Sequence, residues 1–246
     1  SSAGWRKLAS GLRAVLDPQA LLFDMDGVLV DVRQSYRQAI VQTAAHFGVE
    51  ITPEDIEAAK AAGDANNDWQ LTWRLVRRSR PEIEFDAVHE AFERLYQGEG
   101  EKTGLWQREE LLATRQLLQE LARRLPLAIV TGRPRRDAER FLQSFELEPL
   151  FSVVITMEDA PPKPDSTSVR AALAALGVER AWLIGDTPDD MSAARTAGVV
   201  PIGFSASTPS TMTEQSLLRA GAARVLTDLT ELWNLLPSET REESDS

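Results

Sequence analysis

The chain has 246 residues, of which 43% are hydrophobic, and a formal net charge of −11. That length supports a full apolar core in one or two domains, and that charge argues against a nucleic-acid backbone as partner. With no cysteine at all, disulfides, thiolate chemistry and cysteine-based zinc sites are excluded. No apolar stretch is long enough to span a bilayer, so a cytoplasmic protein without a membrane partner is expected. Nothing in the pattern indicates a coiled coil; a monomer is the default, with a dimer as the alternative.

Residues 1–17 read as an N-terminal extension in which Trp5, Leu8, Leu12 and Leu16 recur at helical spacing. The apolar run Ala20-Leu21-Leu22-Phe23 then predicts a short buried strand, closed by Asp24-Met25-Asp26-Gly27. Side chains alternate along a strand, so Asp24 and Asp26 point the same way. Two like charges side by side call for a cation or a shared proton. The alternative is a strand-end turn with two solvated aspartates. An EF-hand loop does not fit, because a third ligand before the glycine and a closing Glu are missing.

Residues 32–104 carry helix periods only: Ile40/Ala44/Phe47, Ile56/Ala59, Trp69/Trp73/Val76 and Phe85/Val88/Phe92/Tyr96. They predict an all-helical cap domain inserted after the first strand. Thr52-Pro53-Glu54-Asp55 opens one of its helices with a capping residue, a first-turn proline and first-turn acids. The turn 62–68 joins two cap helices. Its Gly63, Asp64, Asn66 and Asn67 are candidates to bind substrate hydroxyls, the alternative being an ordinary polar connection. Trp69 and Trp73 read as core packing, and His46 and His89 as packed or exposed imidazoles. The return segment 98–104 is glycine-rich and polar, as a hinge would be. It is not a P-loop, because Gly, Lys and Thr are not consecutive there.

From 105 to 236, strands alternate with helices. Apolar segments at 127–130, 152–155, 181–184, 199–204 and 224–226 read as strands, with helical stripes such as Ala138/Phe141/Leu142/Phe145 and Val169/Ala172/Leu173/Leu176 between them. Pro134 and Pro188 suit first helical positions, and Gly177 and Gly198 suit positions just past a helix end. The expected fold is therefore α/β. A Rossmann-like, doubly wound parallel sheet, built from 18–31 and 105–236, carries the helical cap, and 237–246 forms a disordered acidic tail. In such a sheet the carboxyl ends of the strands line the ligand crevice. Asp24 and Asp26, Thr131-Gly132, and Gly185-Asp186 with Asp189 and Asp190 all follow strands, so they are predicted to converge. Lys163, set between prolines in Ala160-Pro161-Pro162-Lys163-Pro164, reads either as a positioned counter-charge or as a surface lysine.

Taken in order, Asp24-Met25-Asp26-Gly27, Val130-Thr131-Gly132, Lys163-Pro164 and Gly185-Asp186-Thr187-Pro188-Asp189-Asp190 resemble the four motifs of the haloacid dehalogenase-like hydrolase superfamily. The insert after the first motif, and Ala220-Gly221-Ala222-Ala223-Arg224-Val225 near the end, resemble its phosphoglycolate phosphatase and β-phosphoglucomutase branch. The resemblance spans about Ala20 to Leu236. It implies a phosphatase acting on a small phosphorylated metabolite. Asp24 would be the nucleophile forming an aspartyl-phosphate, and Asp26 the general acid and then base. Thr131 and Gly132 would hold phosphoryl oxygens, and Lys163 would offset the charge. Mg2+ would lie on Asp24, the Asp26 carbonyl and Asp186, with Asp190 supporting the metal or Lys163. Dehalogenases and phosphonatases of the superfamily lack the second aspartate, so Asp26 selects phosphoryl transfer and leaves a phosphomutase as the alternative. A catalytically silent binding relative would have lost an aspartate or the lysine. Arg133 departs from the small polar residues usual at its place and would bind a second substrate anion or form a salt bridge to the cap. Asp31 would cap the next helix or brace the cap hinge, and Asp189 would be a solvated first-turn acid.

Overall fold

The computed structural model describes residues 16–61, 67–100, 102–206 and 211–237. The N-terminal helical pattern up to residue 15 and the tail beyond Pro237 lie outside them, as do Gly63, Asp64 and Asn66. Six parallel strands form one sheet: β1 (Ala20–Phe23), β2 (Leu127–Val130), β3 (Phe151–Ile155), β4 (Ala181–Gly185), β5 (Val200–Phe204) and β6 (Arg224–Leu226). Their order is β6-β5-β4-β1-β2-β3. Every residue of β1 and β2 is fully buried, which is why both read as unbroken apolar runs without alternation.

That order fixes where a ligand can sit. From β1 the chain winds through β2 and β3 to one edge, then returns to β4 on the opposite side of β1. The point of reversal, between β1 and β4, is where an open parallel sheet leaves a crevice beyond its carboxyl ends. The two strands run in register from Ala20 opposite Ala181 to Phe23 opposite Ile184. One residue further, the Asp24 N–H donates to the Ile184 carbonyl at 2.9 Å. Asp24 and Asp186 are thus held side by side by backbone pairing.

The inserted block folds as α1 (Tyr36–His46), α2 (Pro53–Ala61), α3 (Asp68–Arg77) and α4 (Phe85–Gln97). Thr52 and Asp55 cap α2 reciprocally: Asp55 N–H donates to Thr52 Oγ1 at 3.2 Å, and Thr52 N–H donates to Asp55 Oδ2 at 2.9 Å. The outgoing and returning connections pair with each other as a two-residue antiparallel ladder, Val30–Asp31 with Glu110–Leu111. Asp31 braces this crossing by accepting from the Arg33 N–H and guanidinium. Ser35, not Asp31, holds the N-cap position of α1, and it makes no side-chain cap hydrogen bond. The return segment read as a plain hinge holds a second small ladder, Gly98–Glu99 with Lys102–Thr103. His46 is exposed, and His89 packs against Trp69 and Phe85. The block's apolar faces do not form a core of their own. Ile40, Phe92 and Tyr96 belong to the same continuous cluster as Leu21, Phe23 and Leu118 beneath the sheet.

Beyond the block, α5 (Arg115–Arg124), α6 (Arg135–Ser144), α7 (Thr167–Leu176), α8 (Pro188–Ala197) and α9 (Thr211–Ala220) flank the sheet, before a last turn α10 (Leu232–Leu235). Gly177 and Gly198 end α7 and α8 in the left-handed conformation, at φ 68° and 83°. No helix among the described residues is long and apolar enough to cross a membrane.

Gly185 shows how tightly the strand ends are built. A Cβ there would stand 2.3 Å from Asp190 Cβ and 2.5 Å from its Cγ. Gly185→Ala is expected to cost about 1–3 kcal/mol by overpacking, read as a lower urea midpoint. An unchanged midpoint would show that Asp190 has room to yield.

Candidate active site

The nucleophile candidate follows directly from β1. Asp24 is 5% exposed, and its Oδ1 lies 2.9 Å from Lys163 Nζ. Lys163 is 4% exposed and not a surface lysine. Its ammonium also lies 2.5 Å from Asp190 Oδ1 and donates to the Val130 carbonyl at 3.0 Å. The ends of β1 and β2 and the first turn of α8 therefore meet on one cation. Burial pulls the Lys163 ammonium down, but Asp190 and Asp24 outweigh it and hold it above its usual range.

Asp190 is completely buried and divides its oxygens. While Oδ1 faces Lys163, Oδ2 accepts from the Thr187 N–H at 3.0 Å and the Thr187 hydroxyl at 2.6 Å. The Asp190 N–H returns a bond to Thr187 Oγ1 at 3.3 Å, closing a capping box at the start of α8. Asp190 is thus the support for Lys163. Asp189 differs from expectation: it is 6% exposed, so the first-turn acid is buried instead of solvated.

Asp186 follows β4 and faces Gly27. A Cβ at Gly27 would stand 2.1 Å from Asp186 Oδ2, and its φ of +77° is itself one that only glycine adopts freely. The glycine after the first aspartate pair thus makes room for the third carboxylate. Asp24, Asp186 and Asp190 each bring an oxygen within 4.8 Å of the others. Burial raises Asp24 to about 7, with Lys163 opposing and Asp190 and Asp26 reinforcing. Burial likewise raises Asp186 to about 8, with Lys60 opposing and Asp24 and Asp190 reinforcing. A hard divalent cation relieves such crowding. The donor set fits Mg2+ held by Asp24 and Asp186, whereas both Asp190 oxygens are already engaged.

Thr131 is buried, and its Oγ1 accepts from the Arg133 N–H at 3.2 Å, so its own O–H remains to donate. Gly132, not Thr131, lines the cleft beside Asp24, Asp26 and Asp186. Arg133 is not free to meet a substrate anion. It is 2% exposed, and its guanidinium lies between Asp26 and Glu109. It forms a salt bridge, but with Asp26 and Glu109 of the segments flanking the cap and not with the cap itself, and short-range patterns do not reveal those partners. Asn67 uses its side-chain oxygen to cap α3, accepting from the Gln70 N–H at 3.0 Å.

Two cap residues that sequence reasoning missed close the cleft from above. Lys60, at the end of α2, and Asp68, at the start of α3, line the same space as Asp24, Asp26 and Asp186. Lys60 Nζ stands 4.0 Å from Asp68 Oδ1, and both side chains are about nine-tenths buried, at 11% and 10% exposure. Burial pulls Lys60 down, but Asp68 and Asp186 beside it more than compensate and raise it. Burial raises Asp68, against the pull of Lys60. Asp68 Oδ1 receives no hydrogen bond. In sequence, Lys60 passes for a last-turn helix cation and Asp68 for a first-turn acid. Their only signal is that they flank the 62–66 turn. The space they enclose with the aspartates is about 20 Å³, room for about one water. A larger cavity of about 280 Å³ adjoins it at Gly27, Lys60 and Asp186.

The family model for haloacid dehalogenase-like hydrolases matches residues 21–204. A curated relative from Phytophthora nicotianae, named imidazoleglycerol-phosphate dehydratase, is 50% identical over 242 residues. That match covers 89% of this chain but 53% of the relative, so the chain spans about half of its length. Phosphoglycolate phosphatase of Escherichia coli is 26% identical over 76% of this chain and 81% of its own. Among solved structures, a putative β-phosphoglucomutase from Thermotoga maritima superposes with a TM-score of 0.63. It is 25% identical, over 88% of this chain and 97% of that one.

The raised carboxylates set a pH dependence with a definite sign. Asp24 and Asp186 hold protons in the fold that they lose when unfolded, so metal-free stability falls as pH rises from the ordinary carboxylate range near 3.8 and levels off only above about 7 to 8. Mg2+ needs the ionised forms, so the rise in melting temperature on adding MgCl2 is expected to be larger at about pH 8.5 than at about pH 6. Asp186→Asn should remove most of that difference. An equal shift at both pH values in the unaltered protein would contradict the assignment.

Proposed function

The chain belongs to the haloacid dehalogenase-like hydrolases, and on that premise we propose that it is a magnesium-dependent phosphatase acting on a phosphate monoester of a small metabolite. The observation that carries the reading is Lys163 joining Asp24 and Asp190 at the β1–β4 reversal, with Asp26 at the edge of the same cleft. Asp24 attacks phosphorus; its Oδ–P bond forms as the P–O ester bond breaks. Asp26 gives its proton to the leaving oxygen. Asp26 then takes a proton from the water that attacks phosphorus, which releases inorganic phosphate and restores the Asp24 carboxylate. Lys163 holds the nucleophile and offsets charge, while Thr131 and Gly132 receive phosphoryl oxygens. Asp24, Asp186 and the Asp26 carbonyl would hold Mg2+, which would supply electrostatic neutralisation of the phosphate when bound.

Substrate choice falls to the cap. Asp68 Oδ1, buried without a hydrogen bond, is the acceptor for a hydroxyl or N–H of the leaving group. Lys60 beside it suits an anionic or carbonyl oxygen. The name of the half-matching relative places imidazole-bearing phosphate monoesters on the panel to be tried, next to phosphorylated acids, sugars and polyols. A phosphomutase is the second reading, favoured by the likeness to the putative β-phosphoglucomutase.

With Mg2+, the protein is expected to release phosphate from an aryl phosphate and from at least one member of the panel. Asp24→Asn should lower the rate on the order of a thousandfold or more. Phosphate release that is equal in wild type and this variant would refute the enzyme. Phosphate retained in an isomeric product, and turnover only after bisphosphate priming, would favour the mutase. On the best panel substrate, Asp68→Asn should raise KM more than it lowers kcat, since it removes a ground-state contact.

A further inference from the structure

We infer that Arg133 is a positioning residue for Asp26, a role that rests on the phosphatase reading above. Arg133 emerges from the turn after β2 and reaches across to the end of β1. Its Nε lies 2.7 Å and its Nη2 2.6 Å from Asp26 Oδ1. On the other side Nη1 donates to Glu109 Oε2 and Nη2 to Glu109 Oε1, both at 3.0 Å, in a bidentate fork. Nη1 also stands 3.5 Å from the Tyr96 hydroxyl, which donates to Glu109 Oε1 at 2.8 Å. The Tyr36 ring packs 4.8 Å from the guanidinium carbon. The guanidinium thereby makes four hydrogen bonds, and its Nη2 also stands in ion-pair contact with Asp26.

The burial of the members shows which of them can act on a substrate. Arg133 and Glu109 side chains are 1% and 5% exposed, whereas Asp26 is 19% exposed and lines the cleft. The chain Tyr96–Glu109–Arg133 is therefore a support, and Asp26 is its working end. Both guanidinium contacts fall on Oδ1. That asymmetry holds Oδ1 against the guanidinium and leaves Oδ2 as the oxygen the cation does not engage. A lysine is a point charge and would not impose this orientation, since it lacks the planar fork.

A residue that acts through the general acid leaves a mark that a merely structural one does not. An alkyl phosphate needs its leaving oxygen protonated, and p-nitrophenyl phosphate, with a weakly basic leaving group, needs it far less. Arg133→Met is expected to lower kcat on an alkyl phosphate by about a hundredfold or more, and on p-nitrophenyl phosphate by less than about tenfold, with KM little changed. Arg133→Lys should show the same leaving-group bias more weakly, and it carries the comparison if the methionine variant does not fold. Added to Asp26→Asn, the Arg133 change should cost nothing further. Equal losses on both esters, no loss on either, or an additive loss in the double variant would overturn the inference while leaving the phosphatase intact. A wild-type chain that hydrolyses neither ester would overturn the phosphatase reading itself, and this inference with it.

Discussion

Burying carboxylates beside one another is the constraint on which the rest of this structure depends. Asp24, Asp186 and Asp190 share a space less than 5 Å across, and Asp26 and Asp68 border it. Isolated, such a group would be unfavourable, because each charge raises the cost of ionising the next. The fold answers with three buried cations, each drawn from a different part of the chain. Lys163 serves Asp24 and Asp190, Arg133 serves Asp26 and Glu109, and Lys60 faces Asp68 and Asp186. What these cations leave uncompensated is centred on Asp24 and Asp186, the pair whose protons are held most tightly.

The sheet was legible in the sequence because its signals are local. Unbroken apolar runs of four or five residues, each ending in Asp, Thr-Gly or Gly-Asp, mark both a buried parallel strand and its reactive end. Helix punctuation was equally local, as Gly177, Gly198 and Pro188 show. Lys163 was readable because its proline neighbours imply a fixed side chain. The partners of Arg133 were not, since Asp26 and Glu109 lie 107 and 24 residues away and no spacing rule connects them. Lys60 and Asp68 escaped for a subtler reason: a last-turn lysine and a first-turn aspartate each complement a helix dipole, so each already had a sufficient local explanation. Asn67 carries the same ambiguity, since a helix cap accounts for its side-chain oxygen.

Reading 32–104 as a separate domain captures its helices but not its attachment. The block shares the apolar cluster beneath the sheet, and polar contacts tie it down further. Gln97 of α4 donates to both Asp137 oxygens, at 3.1 and 3.2 Å, and accepts from Arg140 at 2.7 Å. The seat is therefore firm, and parting the block from the sheet would cost apolar contact as well as hydrogen bonds.

The backbone bond from Asp24 to Ile184 has a consequence for how such a chain changes over time. It welds Asp24 to the strand that carries Asp186, so the two carboxylates cannot drift relative to one another without breaking the sheet. Lys60 and Asp68, by contrast, bracket the cleft from helices that take no part in the strand ladder. Mutation can reshape that bracket, altering what is accepted, while the chemistry beneath stays fixed. New substrates are open to this scaffold at far lower risk than new reactions.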